Sequence, residues 1–398
     1  MHLTIESKNT NSFVPGCLPA QAKIYERLED LSGKYESLFA ENAQRSFFFS
    51  KPWFQNLVDT ALDPGDVVRI FALELGDTPG TPAAALVTRY HSSHGQNYRL
   101  RKLSSLSNFY TSLYAPLRSG SSYSPSHLGV LATAISSDSL AWDAVDLKWL
   151  DHDAPVFSEL QSAFREAGLV VQTYFCAGNW YLPVNGRSFK EYFESLRSSV
   201  RNIAKSKNKK IERSGRARIE IISSPTGLGP ALEAYQRIYA SSWKVPEPYP
   251  EFVPGLVRTC AEQGWLRLGL VYVDQEPAAA QIWIIHNCTA SIYKVAYDKR
   301  FADLSVGSFL TTRMMEYALD VDKVREVDYL TGDEKYKQDW MSHRRERWGI
   351  LAMNPRTVRG ALAILRHIGG RAVKRAVQSA IKRPLRLQNA HARIKNGG

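Results

Sequence analysis

The sequence predicts an α/β chain of the α+β type: two tandem lobes, each a mixed, mostly antiparallel sheet flanked by helices, then a basic helical tail. Three observations predict it. At 398 residues the chain exceeds what one hydrophobic core usually fills. Short β-rich runs and amphipathic helical stretches alternate through both halves. The charge is segregated: 12 of the 51 Lys and Arg follow Glu346 with no acid among them, and removing those 12 leaves 39 bases against 39 acids. The net charge of +12 therefore sits in the tail, a local basic appendage rather than a global field for steering nucleic acid. On this reading residues 1–44 are an N-terminal extension, 45–185 the first lobe, 186–354 the second and 355–398 the tail.

In the first half, the aromatic run Ser46-Phe47-Phe48-Phe49-Ser50-Lys51-Pro52-Trp53 leads into a helix. Ser50 suits its N-cap and Pro52 its first turn. Strands follow at 67–75 and 83–90, with Gly76-Asp77-Thr78-Pro79-Gly80 turning between them, and again at 99–106. Residues 119–127 are rich in Ser, Gly and Pro and read as loop. A short strand at 145–149, a helix over 156–167 stopped by Gly168, and a strand at 169–174 complete this half.

The second half opens with one helical segment, 189–213, and a strand at 218–222. Helices over 230–243 and 252–262 precede three antiparallel strands at 265–273, 278–286 and 290–297. The loop 298–306 opens a helix over 307–321, with Leu310, Met314, Tyr317, Ala318 and Val321 on one face. A strand at 325–330, a short helix near 334–341 and a last strand at 347–353 end the body. Tyr293 and Tyr297 fall on one face of their strand by simple alternation, and Lys294 on the other.

Strand, two helices, three antiparallel strands, helix, strand, helix, strand is the element order of the GNAT (general N-acetyltransferase) fold, which residues 186–354 resemble. Three motifs narrow the resemblance: Ser195-Leu196-Arg197-Ser198-Ser199-Val200-Arg201-Asn202-Ile203, Ser305-Val306-Gly307-Ser308, and Gly332-Asp333-Glu334-Lys335-Tyr336-Lys337. Together they are similar to the CelD-like branch of GNAT proteins, bacterial proteins associated with polysaccharide biosynthesis and related to Fem-type aminoacyltransferases. Lys51-Pro52-Trp53 and Leu106-Ser107-Asn108-Phe109-Tyr110 resemble that branch's N-terminal half. The resemblance covers roughly residues 45–354 and implies two GNAT-like lobes in tandem, the second better formed.

Such a site lets two neighbouring parallel strands splay, so that a pantetheine arm pairs with exposed backbone and a pyrophosphate rests on the start of the next helix. Unpaired N–H groups and the helix dipole favour an anion there. The resemblance thus implies acetyl-CoA or another acyl-CoA as co-substrate, held by Tyr297, Arg300, Ser305, Gly307 and Ser308, with no metal. One departure is visible: Asp303 stands where the usual loop has a small residue. Acyl transfer to an amine needs a proton acceptor and stabilisation of an oxyanion. Asp333 and Glu334 are the nearest carboxylates, though such residues also serve as helix caps. By resemblance to Fem-type enzymes, Lys337 stabilises the oxyanion and Tyr336 orients substrate. Trp243, Tyr249 and Tyr293 are the candidate acceptor-binding residues.

The expected activity is N-acylation of an amine on an amino sugar or surface-polysaccharide precursor. Two alternatives stand beside it: a Fem-like transferase using aminoacyl-tRNA, the one reading that involves nucleic acid, and a non-catalytic, membrane-associated binding module. The segment 197–218 carries nine Lys or Arg and one acid, Glu212, and suits either a solvated helix or an anionic ligand. The tail places Val358, Ala361, Leu362, Leu365, Ile368, Ala372, Val373, Ala376, Val377 and Ile381 at helical spacing among basic residues, the composition of a binder of anionic membrane surfaces. Docking on the lobes, or disorder, is the other reading of the tail. Four scattered cysteines, no apolar run of membrane-spanning length and no secretory signal lead to the expectation of a cytoplasmic protein, peripheral to the membrane if the tail binds it. His91 and His94 lack a third ligand in range, and no nucleophile elbow, P-loop or dinucleotide fingerprint occurs.

Overall fold

The computed structural model describes residues 20–76, 80–91 and 100–367. The first lobe runs β1 (Ala20–Tyr25), α1 (Lys34–Ala43), α2 (Lys51–Thr60), β2 (Asp66–Leu75), β3 (Thr81–His91), β4 (Lys102–Ser105), β5 (Leu117–Arg118), α3 (Ser126–Ser136), β6 (Ala144–Asp151), α4 (Pro155–Glu166) and β7 (Val170–Pro183). The second runs α5 (Phe189–Ser195), α6 (Ser198–Arg213), β8 (Ala217–Ile222), α7 (Leu228–Ala240), α8 (Phe252–Glu262), β9 (Leu266–Val273), β10 (Glu276–His286) and β11 (Thr289–Tyr297). It continues through α9 (Val306–Glu316), β12 (Glu326–Thr331), α10 (Lys335–Trp340) and β13 (His343–Met353).

The mixed, mostly antiparallel sheet flanked by helices is as expected, but the lobes share one sheet instead of keeping two. Its strand order is β1-β2-β3-β4-β6-β13-β7-β12-β11-β10-β9-β8, with β5 beside β3. The last described strand, β13, is inserted between β6 and β7 of the first lobe. Among the described residues two strand pairs are parallel, β4 with β6 and β11 with β12, one in each lobe.

Apolar packing explains the union. Phe47, Phe48, Phe49 and Trp53 of the first lobe are buried in one cluster with Tyr235, Phe252, Leu256 and Ile282 of the second. Trp53 packs edge-on against Phe252 at 5.7 Å between centroids. Aromatic side chains bury roughly 150–250 Å² each, so this seam ties the lobes as a core would. The aromatic run is aimed there by two caps: Ser46 accepts from the Phe48 N–H, and Ser50 from the Trp53 N–H at 3.2 Å. Separate clusters fill the first lobe, under α3 and α4, and the second, under α9.

Several elements differ from the sequence expectation. Residues 20–43 are built into the first lobe: β1 pairs along β2, and α1 buries Tyr35, Leu38 and Phe39. Helix α3 follows the Ser/Gly/Pro-rich loop, where no helix was expected, and β7 extends to Pro183. The expected single helix over 189–213 breaks at Leu196, whose backbone is extended (φ −64°, ψ 151°). Helix α9 ends at Glu316 and passes into a π turn, Tyr317–Val321, leaving Val321 exposed.

The alternation of Tyr293 and Tyr297 on one face is also corrected. Pairing of β10 with β11 slips between Ile282 and Trp283, opposite Tyr293. One extra residue reverses the alternation beyond it. Tyr293 therefore packs into the interlobe cluster, while Tyr297 packs into the second-lobe cluster on the other side of the sheet.

Candidate active site

The parallel strands β11 and β12 pair at three positions only: Thr289 with Glu326, Ala290 with Val327, and Ser291 with Asp328. Beyond Ser291, β11 continues to Tyr297 on the side of β10, whereas β12 turns toward β7. The divergence is built into β12. Leu330 holds a left-handed backbone (φ 58°), rare for a branched side chain. Its N–H donates to Asp328 Oδ1 at 2.6 Å, and its carbonyl accepts from Asn179 Nδ2 at 2.8 Å. Arg345 donates to the Asn179 amide oxygen at 2.7 Å, which sets the orientation of that amide. The result is a V whose β11 edge presents backbone groups that β12 does not pair.

The wide end of the V faces the start of α9. A single helical turn, Lys299–Leu304, leads to Ser305 in the left-handed region (φ 55°), and α9 begins at Val306. Its first N–H groups point out of the helix, as an anion site requires. Gly307 has a packing reason as well: an added Cβ would meet the Tyr297 ring at 3.2 Å. Tyr297 in turn lies 4.6 Å from the half-exposed Trp243, so these two rings roof the entrance. Ser308 occupies the first turn of α9. Arg300 is committed elsewhere: it bonds Asp298 at 2.9 and 3.0 Å and Glu276 at 3.0 Å at the surface. Asp303 is exposed. Uncommitted positive charge comes instead from α6, which packs beside α9 and the 299–304 turn and carries Lys205, Lys207, Lys209 and Lys210.

Substituting Gly307 by Val should therefore leave the fold intact and raise KM for the thioester substrate with little change in kcat. Steady-state kinetics check it; a pure kcat effect would contradict the placement.

The cluster after β12 divides in two. Asp333 is held by both nitrogens of a fork from Arg344, at 2.8 and 3.0 Å, and by Trp180 Nε1 at 3.0 Å. The Arg344 bonds hold its carboxyl below the usual range. A carboxylate so engaged is a poor proton acceptor, which counts against Asp333 as the base. Lys337 is nearly buried, at 6% side-chain exposure. Its ammonium donates to the Thr331 carbonyl and pairs with Glu334 at 3.0 Å, leaving one of three donors. Tyr336 beside it is half exposed, edge-on to Tyr329 at 5.6 Å. Burial, then the Glu334 charge, pushes its phenol up to about 12.

A second group of charges was not anticipated. Lys294 reaches Glu247 at 2.6 Å, and Glu247 also accepts from the Tyr110 hydroxyl of the first lobe at 2.7 Å. Burial alone would raise the Glu247 carboxyl, but bonds from Lys294, Tyr239 and Tyr110 outweigh it and hold it low. Lys244 is lowered by burial first; the charges of Lys294, Glu247, Glu334 and Lys337 all act on it. These five charged side chains therefore share one electrostatic neighbourhood near the V. Tyr249 is drawn off to the first lobe, stacking on Phe109 at 6.2 Å between centroids and bonding Asp63. Tyr293 lies between Phe47 and Trp53, its hydroxyl donating to the Tyr110 carbonyl at 3.0 Å. Of the three acceptor candidates, Trp243 alone keeps an exposed ring beside the V.

Residues 198–338 match the acetyltransferase (GNAT) domain family. The second lobe carries a GNAT acetyltransferase domain, and the chain is an acyltransferase. Such domains generally use acyl-CoA. Among solved structures, FemX aligns at 10% identity with a TM-score of 0.54, covering 80% of this chain and 96% of that one. A tandem GNAT protein from the clavulanic acid biosynthesis pathway aligns at 10% identity with a TM-score of 0.48, covering 85% and 100%. L-PGS from Bacillus licheniformis aligns at 10% identity with a TM-score of 0.46, covering 80% and 95%. No curated protein matches the sequence. The FemX likeness places the two-lobed fold as a whole among known architectures, while the family match is confined to the GNAT lobe.

Proposed function

We propose that this GNAT protein transfers an acyl group from an acyl-CoA thioester to a primary amine, on an amino sugar or other precursor of a surface polysaccharide. The observation that carries the reading is the V between β11 and β12, open toward the start of α9 and bordered by Lys337. The pantetheine arm pairs with the unpartnered edge of β11, and the phosphates meet the first turn of α9 and the lysines of α6. The amine attacks the thioester carbonyl, a C–N bond forms, the C–S bond breaks, and the proton the nitrogen loses ends on the departing sulfur, which leaves as the free thiol of coenzyme A. Negative charge collects on the carbonyl oxygen, and the remaining donor of Lys337 stabilises it. Tyr336, protonated at neutral pH, orients the substrate, and Trp243 offers a ring for a sugar to stack on. The experiment is thiol release from acetyl-CoA with a panel of amino sugars and their amine-free counterparts. Release that requires the primary amine is expected; release no faster than background hydrolysis with every acceptor would overturn the reading.

The membrane association proposed for the tail has support in its described part. Helix 358–367 leaves Val358, Leu362 and Leu365 largely exposed, at 78%, 59% and 67%. The remaining tail positions, from Ile368 to Ile381, lie outside the described residues. No described helix is long and apolar enough to cross a membrane, so the reading is of a surface contact. Replacing Val358, Leu362 and Leu365 together by Ser should lower co-sedimentation with anionic vesicles while leaving turnover unchanged. Undiminished co-sedimentation would remove the idea.

A further inference from the structure

Helices α5, α6 and α9 line a solvent-open pocket of about 490 Å³. The acyl-transfer scheme above gives it no part. Its α9 wall is Thr312 and Arg313. Thr312 follows Val306, the first residue of α9, by six positions, so the pocket lies about 9 Å along the helix from the N–H groups that meet the pyrophosphate. Helix α6, its opposite wall, also packs against the 299–304 turn that leads into α9.

The walls carry the chemistry of a nucleotide site. Helix α5 contributes two rings, Phe189 and Phe193, 5.3 Å apart between centroids. Phe193 is buried and Lys205 lies over its ring at 5.9 Å, which leaves the half-buried Phe189 as the open platform. Such a ring stacks a base. On α6, Lys205, Asn208, Lys209 and Glu212 recur at i, i+3, i+4 and i+7, one face of the helix, and all four line the pocket. The Asn208 amide oxygen is buried without a hydrogen-bond partner. A side-chain amide and an adenine edge match in either orientation, because each offers a donor beside an acceptor. Glu212 is taken by Arg313. Among the described residues Lys205 and Lys209 have no carboxylate in bonding range, and both stand exposed. Like charges at i and i+4 repel, so an anion between them is attracted and also relieves that repulsion.

We propose that the pocket between α5, α6 and α9 holds the 3′-phosphoadenosine end of the acyl-CoA donor. The adenine lies on Phe189 and bonds Asn208, and the 3′-phosphate sits between Lys205 and Lys209. This rests on the acyl-CoA reading and adds a source of donor selectivity. A phosphopantetheine thioester on a carrier protein has no nucleotide end and forfeits these contacts.

Calorimetry on the full chain tests it, with coenzyme A, dephospho-coenzyme A and adenosine 3′,5′-bisphosphate as probes. Coenzyme A should bind roughly tenfold or more tightly than dephospho-coenzyme A, the worth of one charged hydrogen bond. Adenosine 3′,5′-bisphosphate should compete with it. The double change Lys205→Met and Lys209→Met should abolish the preference for the 3′-phosphate, and the dephospho-coenzyme A binding that survives shows the fold intact. Asn208→Ala should weaken both coenzymes by the same factor and keep the preference. Equal affinity for the two coenzymes in the unaltered chain, no competition by the bisphosphate, or coenzyme A affinity that neither variant alters overturns the proposal and leaves the acyl-CoA reading standing. Absence of any coenzyme A binding overturns both.

Discussion

Lys337→Ala should lower kcat roughly 100- to 1,000-fold, the usual effect of deleting one donor to a developing oxyanion. The ammonium is fixed by the Thr331 carbonyl and by Glu334, so its free donor needs no reorganisation when charge develops. Affinity for free coenzyme A should change little, because on this reading the phosphates meet the first turn of α9, across the wide end of the V from Lys337. Single-turnover kinetics beside a binding isotherm separate the two effects. Lys337→Arg is a useful companion, because it keeps the charge while changing donor geometry, and intermediate activity is expected. Unchanged turnover in Lys337→Ala would remove the oxyanion role and shift attention to Lys294, the partly buried ammonium paired with Glu247.

Asn179→Ala should be the most destabilising single change at the site, by about 3–5 kcal/mol, the range seen when a buried charge network loses a partner. The Asn179 side chain donates to Asp328 and to the Leu330 carbonyl, and accepts from Arg345 and Arg347. It is 1% exposed, so water cannot replace these bonds without opening the sheet. The same bonds hold Leu330 in its left-handed conformation and thereby hold the V apart. Denaturant unfolding should show the loss as a lower midpoint, and the acyl-CoA affinity of the folded fraction should fall with it. A variant with a wild-type midpoint would mean that the network does not maintain the kink.

Much of the second lobe was legible in the sequence, because strands such as 278–286 and 290–297 carry mostly apolar runs separated by short polar turns. The opening of α9 at Val306–Gly307 followed from the same pattern. The face of Tyr293 was not legible: a bulge opposite it reverses the alternation, and no residue type signals where the register slips. The Lys294–Glu247–Tyr110 group was missed for another reason. Its members come from β11, from the loop after α7 and from the other lobe, so no local window contains two of them. The available signal was chemical: a lysine inside a mostly apolar strand, and an acid inside the Pro-rich stretch 246–250. Asp333 shows the converse. Its position after a central strand suited a base, but its fork with Arg344 depends on β13 lying beside β7, a pairing made between lobes.

The central claim is that the V between β11 and β12 holds an acyl-CoA. Isothermal titration of the full chain with acetyl-CoA, a longer acyl-CoA and free coenzyme A tests it most directly. The account predicts single-site binding of at least one thioester, retained in part by free coenzyme A and weakened by Gly307→Val. Absence of binding by all three at millimolar ligand would contradict it.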